Sequence, residues 1–582
     1  MKSILLFALI AFATVAVVSA ADLSPAKWPE EERVRIESLE QQPYPPATKL
    51  VEGQSGLVSA TISPIAIRAG IEVLKQGGSA ADAAATVALT QVTTALGSYV
   101  SYAGMMQLTY YEAKTGKVYS MNAGWNSYLG ETDPKTIPTA AELDAEQGRK
   151  TLVPGFMAGI ESMHRRFGKL PFADLFAPAI WYSESGITIT RPLEHFFSSR
   201  QKFLIRTPEG RAFIRQAGSP LPSFGARFAQ PELAATLRAV AQHGAQYMYT
   251  GEWGEKFVAA VQREGGKATL DDMKRYQPIW EEPLSTGFAG HTIYGPGPST
   301  QGGYDVLEAL NLIEELKIDQ RNPYWKDPDV FQDLSRVLEL VAIGPYIHSY
   351  VADNALKTNG LHLSLQDRAT KPYAKAVIPF IKWLFNTAKK TPANNHSDAI
   401  VVIDRWGNVA ALTHTINTVL WGTTGMVVGG VPLSDAACLQ QQKLETLAPG
   451  ARVPNEIAPI IAMTDGKPCL AISSIGSALL PETVRILLGS FGNHLDALSI
   501  VAAPPLLLNF DYAKRDMVQV PEGKYDQDFL THLGTAGFTV QKKPMQEVGG
   551  IKGTAAIGLI ADANGARQSV ENSGLYNFAE GY

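Results

Sequence analysis

The sequence predicts an α+β fold, with helices crowded into the first two thirds and strands into the last third. Three observations predict it. Paired helix-start signals follow Ser63. Helical patterning broken by Pro and Gly then dominates residues 155–350. From Ser397 onward, short apolar runs separated by turns take over. A chain of 582 residues can hold several domains or one large assembly of helices and sheets.

The elements read in order as follows. Lys2, an apolar run from Ile4 to Val18 and the small residues Ser19-Ala20-Ala21 form the pattern of a secretory signal peptide, residues 1–20, cut after Ala20. An exported protein, periplasmic or extracellular, is expected. Residues 21–55 are polar and contain Pro43, Pro45 and Pro46; they read as an extended lead-in. Ser63 caps a helix whose first residue is Pro64, with Ile67, Ile71 and Leu74 as its apolar stripe and Gly77-Gly78 as its end. Ser79 and Asp82 form a capping box for an alanine-rich helix running to about Leu96. Strands are expected over Met106–Ala113 and Lys117–Asn122, joined at Thr115-Gly116. Residues 294–303 are a loop opening a helix near Tyr304. After Ser397 the expected strands are Ala399–Ile403, Val409–Ile416, Met426–Val428, Pro459–Met463 and Cys469–Ser473. A helix over Pro481–Phe491 and two closing strands, Thr554–Ile560 and Arg567–Asn572, complete the chain.

Composition excludes several function classes. A net charge of −5 with no basic run leaves no electrostatic footprint for nucleic acid or an anionic membrane. No H-E-x-x-H or paired C-x-x-C occurs, so no metal and no cofactor are expected. G-x-S-x-G is absent, which disfavours an α/β-hydrolase. The two cysteines, Cys438 and Cys469, allow one disulfide or two thiols.

The block Asn394–Asn417 carries the chemistry. Ser397 stands directly before an apolar strand, a tight turn follows at Asp404–Asn408, and a second strand ends in Thr413-His414-Thr415-Ile416-Asn417. The arrangement is that of a residue that becomes a new N-terminus when the chain cuts itself. A serine hydroxyl needs a base within reach. The new α-amine, with an ordinary pKa of roughly 7.7–8.0, can be that base. The polar stretch Thr387–His396 reads as an exposed linker that would admit the cut.

Over nearly its whole mature length the chain resembles the γ-glutamyltransferases, of the N-terminal-nucleophile hydrolase class. The resemblance rests on Gly56–Asp82, Val153–Gly186, Pro298-Ser299-Thr300-Gln301-Gly302-Gly303, Ser397–Asn417 and Ile475-Gly476-Ser477. It implies a four-layer αββα sandwich, autoprocessed between His396 and Ser397 into a large subunit (21–396) and a small subunit (397–582) that form a heterodimer. It implies Ser397 as nucleophile, where the family more often has threonine, and Thr415 as its hydrogen-bond partner. Asn417 would line the site. The backbone N–H groups of Gly476 and Ser477 would hold the oxyanion, standing where the family has paired glycines. The implied substrate is a small-molecule amide, with γ-glutamyl donors such as glutathione first, and water or an amine as acceptor.

The chain departs from the family at the substrate grip. Where the family has an arginine for the glutamyl carboxylate, this chain has Ser120–Asn126, so Asn122 is the polar candidate. Ala436 and Leu439 occupy the places of the glutamine and aspartate that hold the amino group, leaving Asp435 as a substitute. Asn455-Glu456 replaces a Ser-Ser pair, and the lid, Gln440–Ala451, is shorter than usual. Trp125, Trp421 and Leu439 are candidates for a more apolar pocket. The competing readings are an amidase or acylase of the same fold with a different acyl group, and a catalytically silent scaffold. Asp398, beside the new amine, is expected to raise the amine's pKa and shift activity to alkaline pH.

Overall fold

The computed structural model describes residues 21–42, 44–215, 221–347, 357, 360–361, 364–384, 397–476, 479–508, 517–544, 554–560, 565–573 and 576–582. The expected leader 1–20, the linker with His396, Ser477 and the turn at 562–564 lie outside the described residues.

Fourteen strands form the two main sheets. In chain order they are β1 (Lys49–Gly53), β2 (Leu57–Thr61), β3 (Met105–Glu112), β4 (Lys117–Ala123), β5 (Ile279–Glu281), β6 (Leu284–Phe288) and β7 (His291–Gly295). After these come β8 (Ser397–Ile403), β9 (Val409–Thr415), β10 (Ile460–Thr464), β11 (Lys467–Ile475), β12 (Thr554–Ile560), β13 (Arg567–Glu571) and β14 (Asn577–Gly581). One sheet runs β1-β13-β12-β11-β10-β7-β6 and the other β14-β2-β8-β9-β3-β4-β5. In both sheets, strands from before residue 397 are hydrogen-bonded to strands from after it.

Strand β8 shows why the sheets stack. Successive side chains of a strand point to opposite faces. Ile400 and Val402 join a core with Ala83, Ala84 and Val87 of an overlying helix. Ala399, Val401 and Ile403 join a core with Ile461, Ala471 and Ala556 of the other sheet. Both faces are therefore covered, which is why the strand is an unbroken apolar run. Helices α1 (Glu30–Glu40), α2 (Pro64–Lys75), α3 (Ala80–Thr94), α4 (Phe156–Phe167) and α5 (Arg191–Leu204) belong to one side of the molecule. Of these, α2, α3 and α4 pack on the sheet that holds β8. Helices α6 (Gln301–Glu315) and α8 (Leu479–Leu487) cover the other sheet, with α7 (Ala436–Leu444) between them in sequence. The architecture is helix, sheet, sheet, helix.

Local signals hold at the opening helices. Ser63 accepts from the Ala66 N–H at 3.2 Å. Ser79 and Asp82 form the reciprocal box, at 3.2 and 2.9 Å. Residues 21–55 depart from the expected extended lead-in, because α1 and β1 lie there. Three acidic residues in the first turn of α1 suit its N-terminal dipole. Strands β5 to β7 were hidden within the helical stretch.

Asp404 ties the turn after β8 to the start of α3. Its buried carboxyl accepts from the N–H groups of Ala80 (2.9 Å), Trp406 (2.9 Å) and Asn408 (3.0 Å) and from the Asn408 amide (2.7 Å). Removing it leaves buried donors without a partner, at roughly 1–3 kcal/mol each. Asp404→Ala is expected to lower stability by about 3 kcal/mol in chemical unfolding. A loss under about 1 kcal/mol would show that the turn is held by other means.

Candidate active site

Ser397 is the first residue of β8 and is buried. Register places it directly opposite Thr415, which in turn faces Met105 on β3. Thr415 Oγ1 accepts from the Asn417 N–H at 2.8 Å. Asn417 adopts a left-handed backbone with φ 52°, a conformation asparagine tolerates better than most side chains. The expected trio of Ser397, Thr415 and Asn417 is thus brought together. Gly476 follows the last residue of β11 with φ 87°, where a side chain would be strained.

A cavity of about 130 Å³ opens beside the serine. Ser397 and Ile475 are both on its wall, so the turn at Gly476 reaches the same site. Ile62, Leu193, Phe196, Leu420 and Phe578 make the rest of the wall predominantly apolar. The expected apolar residues are elsewhere. Trp421 donates to the Leu96 carbonyl at 2.9 Å and stacks on Phe197. Trp125 is buried in a separate core, and Leu439 is exposed.

The cavity floor is a strained turn. Ile62 and Ser63, at the end of β2, both take left-handed backbone, φ 61° and 62°. A β-branched residue there is an outlier, and such strain costs on the order of 1–3 kcal/mol per residue. Hydrogen bonds from the Ile62 N–H to the Tyr576 carbonyl (2.9 Å) and from the Gln91 amide to the Thr61 carbonyl (2.7 Å) hold it. Glu40, the last residue of α1, closes the same region. Its Oε2 accepts from the Ile65 N–H (3.1 Å) and the Ser63 hydroxyl (3.3 Å). Part of the residue stays open to the cavity, yet burial of the carboxyl pushes its pKa up to about 7. Glu40 escaped the sequence reading because α1 itself did.

Asp398 does not act as expected. Thr61 donates to its Oδ1 at 3.3 Å, and the residue is almost wholly buried. Burial raises its pKa well above the ordinary carboxylate range, opposed by the Thr61 hydrogen bond. Its cross-strand partner His414 is also kept neutral: burial lowers its pKa to about 3, and its Nε2 lies 2.9 Å from Gln91 Oε1. An Asp398 held toward its protonated form has less charge with which to raise the pKa of a neighbouring amine, which weakens the cause of the expected alkaline shift.

The other candidate substrate residues are engaged by the protein. Asp435 accepts from Thr418 and Thr423 hydroxyls, both at 2.7 Å, and so braces the loop after Asn417. Asn122 donates to Ser299 and Thr300 and accepts from the Gly124 N–H at 2.7 Å. Glu456 pairs with Lys443 of α7. Asn455 is buried, its Oδ1 taken by the Ile457 N–H at 3.1 Å. None of these four is on the cavity wall. Sequence reading missed Arg452, which lays its guanidinium against the arginine-free strand end. Its Nε donates to Asn126 (2.6 Å), Nη1 to Asn122 (3.2 Å) and Nη2 to the Gln277 carbonyl (2.8 Å). Each of its nitrogens is already a brace. Cys438 and Cys469 are both thiols.

Comparison with known proteins agrees with this geometry. The sequence profile described as Gamma-glutamyltranspeptidase matches residues 66–571. The chain is 24% identical to a glutathione hydrolase proenzyme of Bacillus subtilis, over 90% of each chain. It is 25% identical to the acylase ACY 1 proenzyme of a Pseudomonas species, over 78% of this chain and 83% of that one. Among solved structures, the cephalosporin acylase of Bacillus halodurans shares the fold. The TM-score is 0.75 at 19% identity, covering 93% of this chain and 98% of that one.

Asp398 gives a pH test. Its folded pKa lies above its unfolded one, so the fold favours the protonated form. Stability from this group is complete below the ordinary carboxylate range and is lost as pH rises through the raised value. Asp398→Asn keeps the shape without the charge. It is expected to lose less stability than wild type between pH 5 and 8, measured by thermal unfolding. Parallel curves would show that Asp398 is ionised in the fold.

Proposed function

The chain belongs to the γ-glutamyltranspeptidase family and is an enzyme of amide hydrolysis or acyl transfer; from that premise we propose an exported, self-processing acylase with a mainly apolar acyl pocket. The observation that carries this reading is the presence of Ser397 on the wall of the apolar cavity.

In this reading the chain is cut between His396 and Ser397. Residues 21–396 and 397–582 stay together because strands of one are hydrogen-bonded to strands of the other in both sheets. The freed α-amine of Ser397 takes the proton of its own hydroxyl as the oxygen attacks an amide carbonyl. N–H groups at Gly476 and Ser477 hold the oxyanion, and Thr415 fixes the nucleophile. The proton passes to the departing amine as the C–N bond breaks, leaving an acyl ester on Ser397. Water or a second amine then releases the acyl group. With Asp398 held toward its protonated form, the α-amine stays near its ordinary range.

A γ-glutamyl donor is the competing substrate, favoured by the kinship to a glutathione hydrolase proenzyme along most of the chain. It calls for groups that grip a carboxylate and an amine. Asp435 and Asn122 are engaged internally, which favours the apolar acyl group instead.

Denaturing electrophoresis with N-terminal sequencing tests the processing. Wild type should give two fragments, the smaller beginning at Ser397, and Ser397→Ala should give one intact chain with no activity. An intact, folded wild type would sink the mechanism. Hexanoyl-p-nitroanilide should be cleaved at least about tenfold better, by kcat/KM, than γ-glutamyl-p-nitroanilide. The reverse order would return the γ-glutamyl reading. Activity should rise with pH to a midpoint of roughly 7.7–8.0, because the base must be unprotonated. A midpoint well above this range would mean that a nearby charge stabilises the ammonium.

A further inference from the structure

Among the described lining residues Glu40 is the one carboxylic acid, and it is not part of the proposed acyl-transfer machinery. None of these residues is a lysine, arginine or histidine, and the Ser397 α-amine freed by the cut is uncharged when it acts as base, so the working enzyme has no fixed counter-ion for the carboxyl there. Its Oε2 is occupied by the Ile65 N–H and the Ser63 hydroxyl. No hydrogen bond to Oε1 is found among the described residues, and the side chain faces the cavity. The remaining polar side chains among the described lining residues belong to glutamine, serine, threonine and tyrosine.

We propose that Glu40 sets substrate specificity, selecting acyl groups that are apolar along their length and carry a protonated amine at the far end. This rests on the acyl-transfer reading of Ser397. A mainly apolar wall with one carboxyl and no lysine, arginine or histidine disfavours a terminal carboxylate. It rewards a group that brings its own positive charge, because a lone buried carboxylate is costly and a paired, hydrogen-bonded one is not. The rejection of a plain alkyl acyl group has the same origin: it leaves Oε1 without a donor. Size limits the acyl group as well. A dry cavity of roughly 150 Å³ holds a benzene ring. The present volume of about 130 Å³ therefore fits an acyl chain of comparable bulk.

The carboxyl's raised pKa fits this placement, since burial alone causes most of it. The other ionisable groups that act on it are Glu37 on its own helix, Asp398 on β8 and the phenols Tyr99 and Tyr182, none of them a cation.

The test compares hexanoyl- and 6-aminohexanoyl-p-nitroanilide on the self-cleaved wild type and on Glu40→Gln. Glutamine keeps an oxygen for the Ile65 N–H, and appearance of the two fragments confirms that the variant folds. Wild type should prefer the amino-terminated substrate by at least about tenfold in kcat/KM. In Glu40→Gln the ratio should fall to about one. A wild type that cleaves both equally, or a variant that keeps the wild-type ratio, overturns the role of Glu40 while leaving acyl transfer standing. A self-cleaved wild type that hydrolyses neither anilide overturns the acyl-pocket reading, and this proposal with it.

Discussion

The site depends on strand β8 being buried on both faces. Its odd-numbered side chains pack against the second sheet and its even-numbered ones against α3. A slip of one residue would exchange the two sets. Serine would then turn toward the helices, and Asp398 toward the space between the sheets. Because each face has its own core, that slip is energetically closed. The register opposite β9 sets Ser397 against Thr415 for the same reason. A serine placed by a doubly covered strand needs little further adjustment to serve as the proposed nucleophile.

Buried polar groups complete the frame. Asp404 closes the hairpin between β8 and β9 and caps the start of α3, so strand and helix are locked at one end. Asp398, His414 and Gln91 lie on the helix face behind the serine and are kept uncharged or hydrogen-bonded. A neutral environment leaves the chemistry to the serine's own amine and hydroxyl. The strained pair Ile62-Ser63 serves the same site from the other direction. It turns the chain sharply after β2, so that one residue lines the cavity and the next caps α2. Stored strain of this kind is common where a fold presents a binding surface.

In the proposed site, reaction and specificity draw on different elements that meet at Ser397. The proposed nucleophile, its threonine partner and the glycine turn come from β8, β9 and β11. Much of the rest of the cavity wall comes from α1, the turn before α2, α5, the loop after Asn417 and β14. Peripheral segments can change without disturbing the strands, which is how one fold comes to serve several substrates. The polar residues that stood as substitutes for the family's substrate grip are engaged in bracing. Asp435 holds threonines, Asn122 holds a loop, and Arg452 ties that loop's neighbour to Gln277.

The opening helix pair, the hairpin at Thr115-Gly116, the strand pair around Asp404 and the place of Ser397 at the head of its strand were legible in the sequence. Each depends on neighbours in the chain: caps at fixed offsets, turn residues and alternating side chains. The alternation also makes Ser397, Ala399 and Val401 share a face without reference to any other segment. The sequence could not show which helix end would reach the serine, because Glu40 is separated from Ser397 by most of the large subunit. Nor could it show that the pKa of Asp398 is raised, since its burial is a property of packing. The same holds for Asp435 and Asn122, whose hydrogen bonds run to partners brought near only by the fold. Local chemistry determined the strand that Ser397 begins; long-range packing decided the cavity, the direction in which its neighbours' pKa values move and which polar residues remain for a substrate.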